Sequence, residues 1–483
     1  MRAATSVPIV AAGAVATALS VAPFGFWPLG PVGLALLAVA WWHSPTRRRR
    51  AALGFLWAYV QLGITSFWIV EFQAAGLLVL LAMMATFWAL AGALLPTSGR
   101  ARALSFAGLV AGAEALRGRI PFGGFPMGGI PLGQADSPIT PSARVGGAAL
   151  LTLVACLLGG AGAEALGRRW RPALLIALPA LALATVGALL PAGRAVGFIT
   201  VAAVQGGGER GTRALETPTD EVLIRHLEAS RTIPPGRVDV VLWPENAVNA
   251  DGAFAGSTQE ALLAAEAMRL GAVLLVGIVE DAGPGRFRNA EVAIGPDGST
   301  TGRYDKVHRV PFGEYAPLRS LVAKLADLQL LPSDAIPGTE PGLLRGPGGE
   351  PLGVVISYEV FFGDRTRAAI AAGGEVLLVP TNAASYKTAQ VPDQEIAAAR
   401  LRAWETGRDV LQVAPTGFSA RIDTSGRVSG RTDLGAQAVL VERLPRRTGT
   451  TPYQRTGDIP WLVLTALCAA GPLLAQGVRR SRS

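Results

Sequence analysis

The sequence predicts a membrane-embedded helical bundle that carries an α/β domain between its last two spans. The 483-residue chain is 50% hydrophobic and only 16% charged, whereas a soluble globular chain is about 25% charged. Long apolar runs fill the first two fifths and the end of the chain, and a more polar stretch lies between them. These observations exclude a disordered chain and argue against a purely cytosolic enzyme.

Eight apolar runs predict the membrane part. Several of them approach the roughly 20 residues that an α-helix needs to cross a bilayer. Further apolar segments follow the first run at once, so we interpret it as a retained span rather than a signal peptide. The runs occupy residues 5–22, 29–43, 51–71, 74–97, 103–117, 145–166, 172–192 and 459–477.

Basic residues predict the orientation of these spans. They cluster at every second loop, which by the positive-inside rule puts both chain ends in the cytoplasm. We therefore expect a membrane domain of seven helices at 1–194, an extracytoplasmic domain at 195–458, and an eighth helix with a basic tail at 459–483. The clusters are Arg2; Arg47, Arg48, Arg49 and Arg50; Arg100 and Arg102; Arg168, Arg169 and Arg171; and Arg479, Arg480 and Arg482.

The net charge of +9 divides unevenly along the chain. Residues 1–194 and 459–483 hold 17 basic and 4 acidic residues (+13), and residues 195–458 hold 27 and 31 (−4). The basic excess thus flanks membrane spans, and we expect no nucleic-acid partner. Cys156 and Cys468 lie in apolar runs and the three histidines lack ligand spacing, so we expect neither a disulfide nor a metal or other cofactor.

Residues 197–443 alternate short β-like runs with amphipathic helical stretches, as is typical of a layered α/β domain. Asp297-Gly298 between two β-like runs predicts a hairpin. The strand candidates are 198–204, 238–243, 272–279, 290–294, 353–357, 375–379 and 410–413. The helix candidates are 217–231, 257–270, 317–328, 364–372 and 392–407.

Active groups in such folds tend to lie at strand ends, which singles out Glu245, Lys306 and Ser357. Each alone is more often a solvated or paired surface group than a catalytic one. Lys306 carries more weight because the chain has 41 Arg and only 3 Lys. A lysine ammonium approaches one oxygen closely and exchanges protons when it is buried.

Together these sites resemble the three motif blocks of the nitrilase superfamily, and the eight-span frame resembles the apolipoprotein N-acyltransferase family. The blocks are Trp243-Pro244-Glu245, Lys306 to Glu314, and Ile356-Ser357-Tyr358-Glu359, in that order. Further matches are Ala22-Pro23-Phe24, Trp27-Pro28, Gly124-Phe125-Pro126, Val204-Gln205-Gly206 and the segment 400–408.

The resemblance implies a nitrilase-like αββα sandwich on the outer face of a bacterial cytoplasmic membrane. It implies transfer of an acyl chain from a phospholipid, through an acyl-enzyme, to the amine of the diacylglyceryl-cysteine that begins an apolipoprotein. Membrane lipids would surround the spans, and we expect a monomer. By position, Glu245 would be the general base, Lys306 the oxyanion-stabilising group and residue 357 the nucleophile. Glu314, Tyr358 and Glu359 would be supporting residues.

The sequence departs from the family at the nucleophile, where Ser357 stands in place of cysteine. A thiol is far more acidic than a hydroxyl, which usually relies on a histidine base. Three interpretations remain open: an introduced cysteine-to-serine change that traps a substrate complex, a paralogue that lost catalysis but binds lipid or lipoprotein, and a serine acyltransferase. Under the first two, the chain as written is inactive or slowed.

Other function classes also remain open. A membrane-tethered amidase would release ammonia from small amides without transferring acyl chains. A non-catalytic binding protein would stay inactive even with cysteine at position 357. A transporter is poorly supported because the spans carry few acidic residues, namely Glu71, Glu114, Asp136 and Glu164.

Overall fold

The computed structural model describes residues 6–96, 101–211, 217–324 and 331–480. The chain folds as two compact units, one formed by residues 1–190 and 451–483 and the other by Pro191–Thr450. Arg2, Arg100 and Arg482 of the predicted basic clusters lie outside the described residues.

The first unit is helical, and its helices coincide with the apolar runs of the sequence. Small residues allow close packing, since a Cβ atom on Gly54 would lie 2.3 Å from the backbone oxygen of Trp88. The helices before the second unit are α1 (Ser6–Ser20), α2 (Leu29–Trp42), α3 (Arg47–Thr65), α4 (Val70–Leu94), α5 (Arg102–Arg117), α6 (Ser142–Leu166) and α7 (Trp170–Leu189).

Within the described residues, three helical segments are long and apolar enough to cross a membrane: Phe67–Leu94, Ser142–Leu166 and Trp170–Leu189. Ser6–Ser20, Leu29–Trp42 and Ile459–Ala470 are apolar but shorter. Length and composition thus support membrane helices, and the number of eight spans stays a prediction.

The second unit contains two sheets. The first has the order β14-β1-β2-β4-β5-β6, with β3 beside β4 and β7 beside β5. Strands β1, β2 and β4 are parallel, whereas β4, β5 and β6 are antiparallel. The strands are β1 (Arg194–Gln205), β2 (Val240–Leu242), β3 (Val248–Ala250), β4 (Val273–Asp281), β5 (Arg286–Ile294), β6 (Thr300–Asp305), β7 (Asp334–Ala335) and β14 (Ala438–Thr448).

The second sheet has the order β13-β12-β11-β10-β9-β8, in which β9, β10 and β11 are parallel. Its strands are β8 (Leu343–Arg345), β9 (Pro351–Val354), β10 (Val376–Pro380), β11 (Val410–Val413), β12 (Ala420–Ile422) and β13 (Val428–Ser429).

The two sheets pack face to face, and helices cover their outer faces. Leu242, Val354 and Leu378 belong to one buried cluster that joins the inner faces. Helices α8 (Thr219–Arg231) and α9 (Thr258–Leu270) cover the first sheet, and α11 (Gly363–Ala371) and α12 (Gln390–Thr406) cover the second. The result is a four-layer α-β-β-α domain, as the sequence predicts.

The predicted elements of this unit largely match, with one exception. Residues 317–328 form only the short helix α10 (Arg319–Val322) in their described part, and 325–328 lie outside it. The Asp297-Gly298 hairpin joins β5 and β6. After β14 the chain returns to the first unit with α13 (Pro452–Thr456) and α14 (Ile459–Arg480).

Candidate active site

Glu245 lies just beyond the carboxyl end of β2, on a segment held close to the neighbouring strand. Strand β2 ends at Leu242, and the backbone of Pro244 and Glu245 crosses directly over Gly277 of β4. A Cβ atom at Gly277 would lie 2.4 Å from the Pro244 oxygen and 2.6 Å from the Glu245 Cα. Glycine at position 277 is therefore what lets the Glu245 backbone approach the sheet.

Lys306 follows β6 and lies between two carboxylates. Its Nζ donates to Oε1 of Glu245 at 2.7 Å and to Oε1 of Glu314 at 2.7 Å. The side chains of Lys306 and Glu245 are only 3% and 4% exposed. Because a buried charge is costly unless it is paired, this arrangement is a built site rather than a surface ion pair.

Asn289 of β5 links the same two carboxylates. Its Nδ2 donates to Oε1 of Glu245 at 2.8 Å and to Oε1 of Glu314 at 3.0 Å. Sequence reasoning missed this residue. Asn289 lies one residue before the predicted strand 290–294, and the observed strand β5 includes it; asparagine is disfavoured in a strand without a specific partner.

Glu245 and Glu314 differ in how their second oxygen is used. Oε2 of Glu314 accepts the backbone N–H of Val310 at 2.7 Å, so both of its oxygens are engaged. Lys306 and Asn289 both bind Oε1 of Glu245, and Oε2 accepts no hydrogen bond from the described residues. Glu245 therefore keeps one oxygen available for a proton.

Burial and neighbouring charges together shift the pKa values of Glu245 and Lys306. Burial raises the pKa of Glu245 above its ordinary value, the charge of Lys306 opposes this rise and that of Glu314 adds to it. Burial alone would lower the pKa of Lys306, but the charges of Glu245 and Glu314 outweigh burial and raise it. Lys306 is thus held as an ammonium cation beside a carboxylate with enhanced proton affinity.

Glu359 connects the lysine segment to the segment that carries Ser357. Its fully buried carboxylate accepts the Tyr304 hydroxyl at 2.8 Å and the backbone N–H groups of Val307, His308 and Ile356 at 2.8, 3.0 and 2.9 Å. The carboxylate thus accepts hydrogen bonds from the backbone N–H groups of two loops, which need a partner when they are buried. Through these contacts, Glu359 connects the residues that follow β6 to the residues that follow β9.

Ser357 begins a 3₁₀ turn (Ser357–Phe361) shortly after β9 and has a φ of 48°. A non-glycine residue with positive φ is uncommon and is retained where the surroundings enforce it, often at active sites. The side chain is 8% exposed. Among the described residues, no hydrogen bond joins its hydroxyl to Glu245 or Lys306.

Tyr358 lies in an aromatic cluster beside this turn. Its ring centroid is 5.0 Å from that of Phe362, which in turn lies 4.3 Å from the ring of His308. The structure therefore brings Lys306 into direct contact with Glu245 and Glu314, and it places Tyr358 in the aromatic cluster at the turn.

Comparison with known proteins identifies the family. The family model described as Apolipoprotein N-acyltransferase N-terminal domain matches residues 13–161, and that described as Carbon-nitrogen hydrolase matches residues 200–453. The apolipoprotein N-acyltransferase of Methylococcus capsulatus is 31% identical over 480 residues, which cover 94% of this chain and 93% of the relative. The chain belongs to the apolipoprotein N-acyltransferase family.

A second relative agrees with this assignment. The apolipoprotein N-acyltransferase of Azotobacter vinelandii is 32% identical over 516 residues, covering 98% of this chain and 95% of the relative. Among solved structures, an amidase from Nesterenkonia sp. is 19% identical, with a TM-score of 0.40, and covers 56% of this chain and 96% of the amidase.

Family membership confirms the resemblance inferred from the motifs, the acyltransferase class and the carbon–nitrogen hydrolase type of the α/β domain. The roles of Glu245, Lys306 and residue 357 in this apolipoprotein N-acyltransferase relative stay predictions, as do those of Glu314, Tyr358 and Glu359. The same holds for the domain limits 1–194, 195–458 and 459–483.

Proposed function

We propose that this protein is built to transfer a fatty acyl chain from a phospholipid to the N-terminal amine of a diacylglyceryl-cysteine apolipoprotein. The observation that supports it best is the buried contact of Lys306 with Glu245 and Glu314 in a chain of this family. Such a cluster combines a proton acceptor with a fixed cation, the two groups that acyl transfer needs.

In the first step, the nucleophile at position 357 attacks the ester carbonyl of the phospholipid and its proton passes to Oε2 of Glu245. The Lys306 ammonium stabilises the charge that develops on the carbonyl oxygen. The acyl–oxygen bond breaks, Glu245 returns the proton to the leaving alkoxide, and a lysophospholipid departs. The acyl group is then bound to residue 357 as an ester or thioester.

In the second step, the amine of the diacylglyceryl-cysteine attacks this acyl-enzyme. Glu245 accepts a proton from the amine and returns it to the side chain of residue 357, which regenerates the enzyme. Glu314 holds Lys306 and Asn289 in place, Glu359 fixes the two loops, and Tyr358 supports the turn. These steps require no cofactor.

Serine at position 357 makes this chain a slowed or inactive form of the enzyme. A hydroxyl is much less acidic than a thiol, and the described residues give Ser357 no hydrogen bond to a base. The binding of both lipids does not need the nucleophile, so a lipid- or lipoprotein-binding role is the second candidate function.

The membrane arrangement belongs to the same proposal. Eight spans with both ends in the cytoplasm would put residues 195–458 on the outer side of a bacterial cytoplasmic membrane. A monomer would suffice, because the proposed catalytic groups all come from one chain.

The test compares the full chain with its Ser357→Cys variant in liposomes that contain phospholipid and a diacylglyceryl-cysteine peptide. Mass spectrometry of the peptide follows the added acyl mass. We expect transfer by Ser357→Cys and little or none by the parent chain. The control is Ser357→Cys combined with Glu245→Gln, which keeps the shape of residue 245 but removes the base.

The outcomes separate the candidate functions. Transfer by Ser357→Cys that disappears with Glu245→Gln supports the acyl-enzyme mechanism. Equal transfer by the parent chain would show that serine is a competent nucleophile. Co-purification of the peptide with the detergent-solubilised protein, without transfer by either form, would favour the binding role. Ammonia release from small amides would favour an amidase.

A further inference from the structure

Glu395 of α12 is a buried carboxyl group that the proposed steps do not use. It is 2% exposed, and its Oε2 atom has no hydrogen-bond partner among the described residues. Helix α12 packs against the 3₁₀ turn that begins with Ser357. A buried carboxyl oxygen without a hydrogen-bond partner costs free energy of folding. Proteins commonly tolerate such a cost at functional sites.

The charged groups around Glu395 lie in the active-site cluster. Burial, followed by the charge of Glu245, raises the pKa of Glu395 to about 8, while Thr381 and Lys306 oppose this rise. Burial raises the pKa of Tyr386 as well, and the charges of Glu395 and Glu245 add to that increase. Glu395 therefore belongs electrostatically to the Glu245–Lys306 site.

Other charged residues near α12 have partners elsewhere. On the helix itself, Asp393 pairs with Arg431, and Arg402 pairs with Glu405. On the elements packed against it, the ion pairs and hydrogen bonds are Glu359 with Tyr304, Asp364 with His308, Arg365 with Tyr304, and Arg421 with Asp409 and Glu442. None of these described pairs neutralises Glu395.

We propose that Glu395 is a positioning residue of this site, whose charge controls proton exchange between Glu245 and the side chain at position 357. This inference rests on the proposed function, because it assigns Glu395 to the same reaction. It follows from a buried carboxyl group, one oxygen of which has no hydrogen-bond partner among the described residues, on the helix that packs against the Ser357 turn.

The sign of the effect follows from linkage. If the charge of Glu245 favours the protonated form of Glu395, an ionised Glu395 favours the protonated form of Glu245 by the same free energy. An ionised Glu395 also opposes formation of a thiolate at position 357. Both effects operate only above the pKa of Glu395, and they vanish when the pH falls below it.

The test uses the full chain with Ser357→Cys, whose new thiol is alkylated by iodoacetamide between about pH 6 and pH 10, a range that brackets the ordinary thiol pKa of about 8.5. Peptide mapping separates this thiol from Cys156 and Cys468. Adding Glu395→Gln should leave the alkylation rate unchanged well below the pKa of Glu395, which is about 8. Above that pKa, where the carboxylate is ionised, it should raise the rate by up to about threefold, which corresponds to a thiol pKa about 0.5 lower. Asp393→Asn is the matched control, because it removes a charge that is paired with Arg431 on the same helix.

The outcomes distinguish this inference from the proposed function. A merely structural role would change the rate by one factor at every pH, and identical profiles with and without Glu395→Gln would overturn the inference. The pH profile of acyl transfer is recorded for the same variants. A shifted alkylation profile without any acyl transfer supports Glu395 as a positioning residue and refutes the acyl-transfer proposal. Acyl transfer with no shift in either pH profile supports the acyl-transfer proposal and refutes Glu395 as a positioning residue.

Discussion

Glu291 of β5 provides a test of how a buried carboxyl group without hydrogen-bond partners affects the stability of this domain. Its side chain is fully buried, and neither carboxyl oxygen has a hydrogen-bond partner among the described residues. It lies opposite Gly277 of β4 and Tyr304 of β6. We expect Glu291→Leu to stabilise the domain, because leucine fills similar space without an unpaired polar group.

The expected gain has two parts. An unsatisfied buried polar group costs about 1–3 kcal/mol. Burial, together with the charge of Glu245, also raises the pKa of Glu291 well above its ordinary value. Between the unfolded and the folded pKa only the unfolded chain is ionised, so the folded state loses about 1.4 kcal/mol for each pH unit of increase. The advantage of leucine should therefore exceed the roughly 1–3 kcal/mol of the unpaired group and grow as the pH rises above the unfolded pKa.

Thermal unfolding of the full chain in detergent measures this gain. For a domain of 260 residues, Pro191–Thr450, about 1 kcal/mol shifts Tm by about 2–4 °C, so Glu291→Leu should raise Tm by at least about 2–4 °C, and by more at neutral than at acidic pH. Glu291→Gln should remove the pH dependence but not the cost of the unpaired group. Glu266→Leu, which breaks the pair with Arg269, should not stabilise. A Glu291→Leu variant that is less stable than the parent, or whose gain does not grow with pH, would refute the reasoning.

Three further predictions concern the active site and are measured in the Ser357→Cys background by mass spectrometry of the acceptor peptide. Lys306→Met should lower acyl transfer by at least about 10²-fold, because Glu245 and Glu314 lose their cation. For the same reason it should lower the free energy of unfolding by about 3–5 kcal/mol. Lys324 is exposed, so Lys324→Met should change neither quantity. Gly277→Ala should reduce acyl transfer by about tenfold or more, because the new Cβ would displace Glu245 and misaligned catalytic groups lose rate steeply. Gly302→Ala, whose Cβ would meet a Leu344 side-chain atom at 3.2 Å and the Ala293 Cβ at 3.8 Å but no backbone atom, should retain activity. Acyl transfer should fall as the pH drops through the raised pKa of Glu245, because protonation removes the base.

The hydrophobic pattern of the sequence was sufficient to predict the central strands but not the strands at the sheet edges. Strands β4, β10 and β11 are mostly apolar, and each lies within two residues of its predicted limits. Strand β14 was missed because its sequence contains charged residues and Pro445. Both features are tolerated where a strand pairs on one side only.

The motif residues of the site were visible in the sequence, whereas their buried partners were not. Glu245, Lys306 and Glu314 follow strands in recognisable motifs, and the structure brings their side chains together. Asn289 and Glu395 carry no motif. Asn289 reaches Glu245 across the sheet, and Glu395 lies on helix α12, which packs against the Ser357 turn. Such contacts depend on strand register and on helix packing, which local pattern does not encode.

The three carboxylates of the motifs can be assigned different roles from the number of donors that each accepts. Glu359 accepts four described donors and Glu314 accepts three, so proton uptake at either would cost hydrogen bonds that hold the loops. Glu245 accepts two donors, both on Oε1, and therefore can take up a proton on Oε2 without losing either. Under the proposed mechanism, Glu245 would therefore be preorganised as the base for either nucleophile at position 357. Lys306 contacts two carboxylates, so when both are ionised its charge balances only one of them, and the remaining negative charge disfavours a free thiolate or alkoxide. We therefore expect the nucleophile to lose its proton to Glu245 as it attacks, and this transfer is harder from the less acidic hydroxyl of Ser357 than from a thiol.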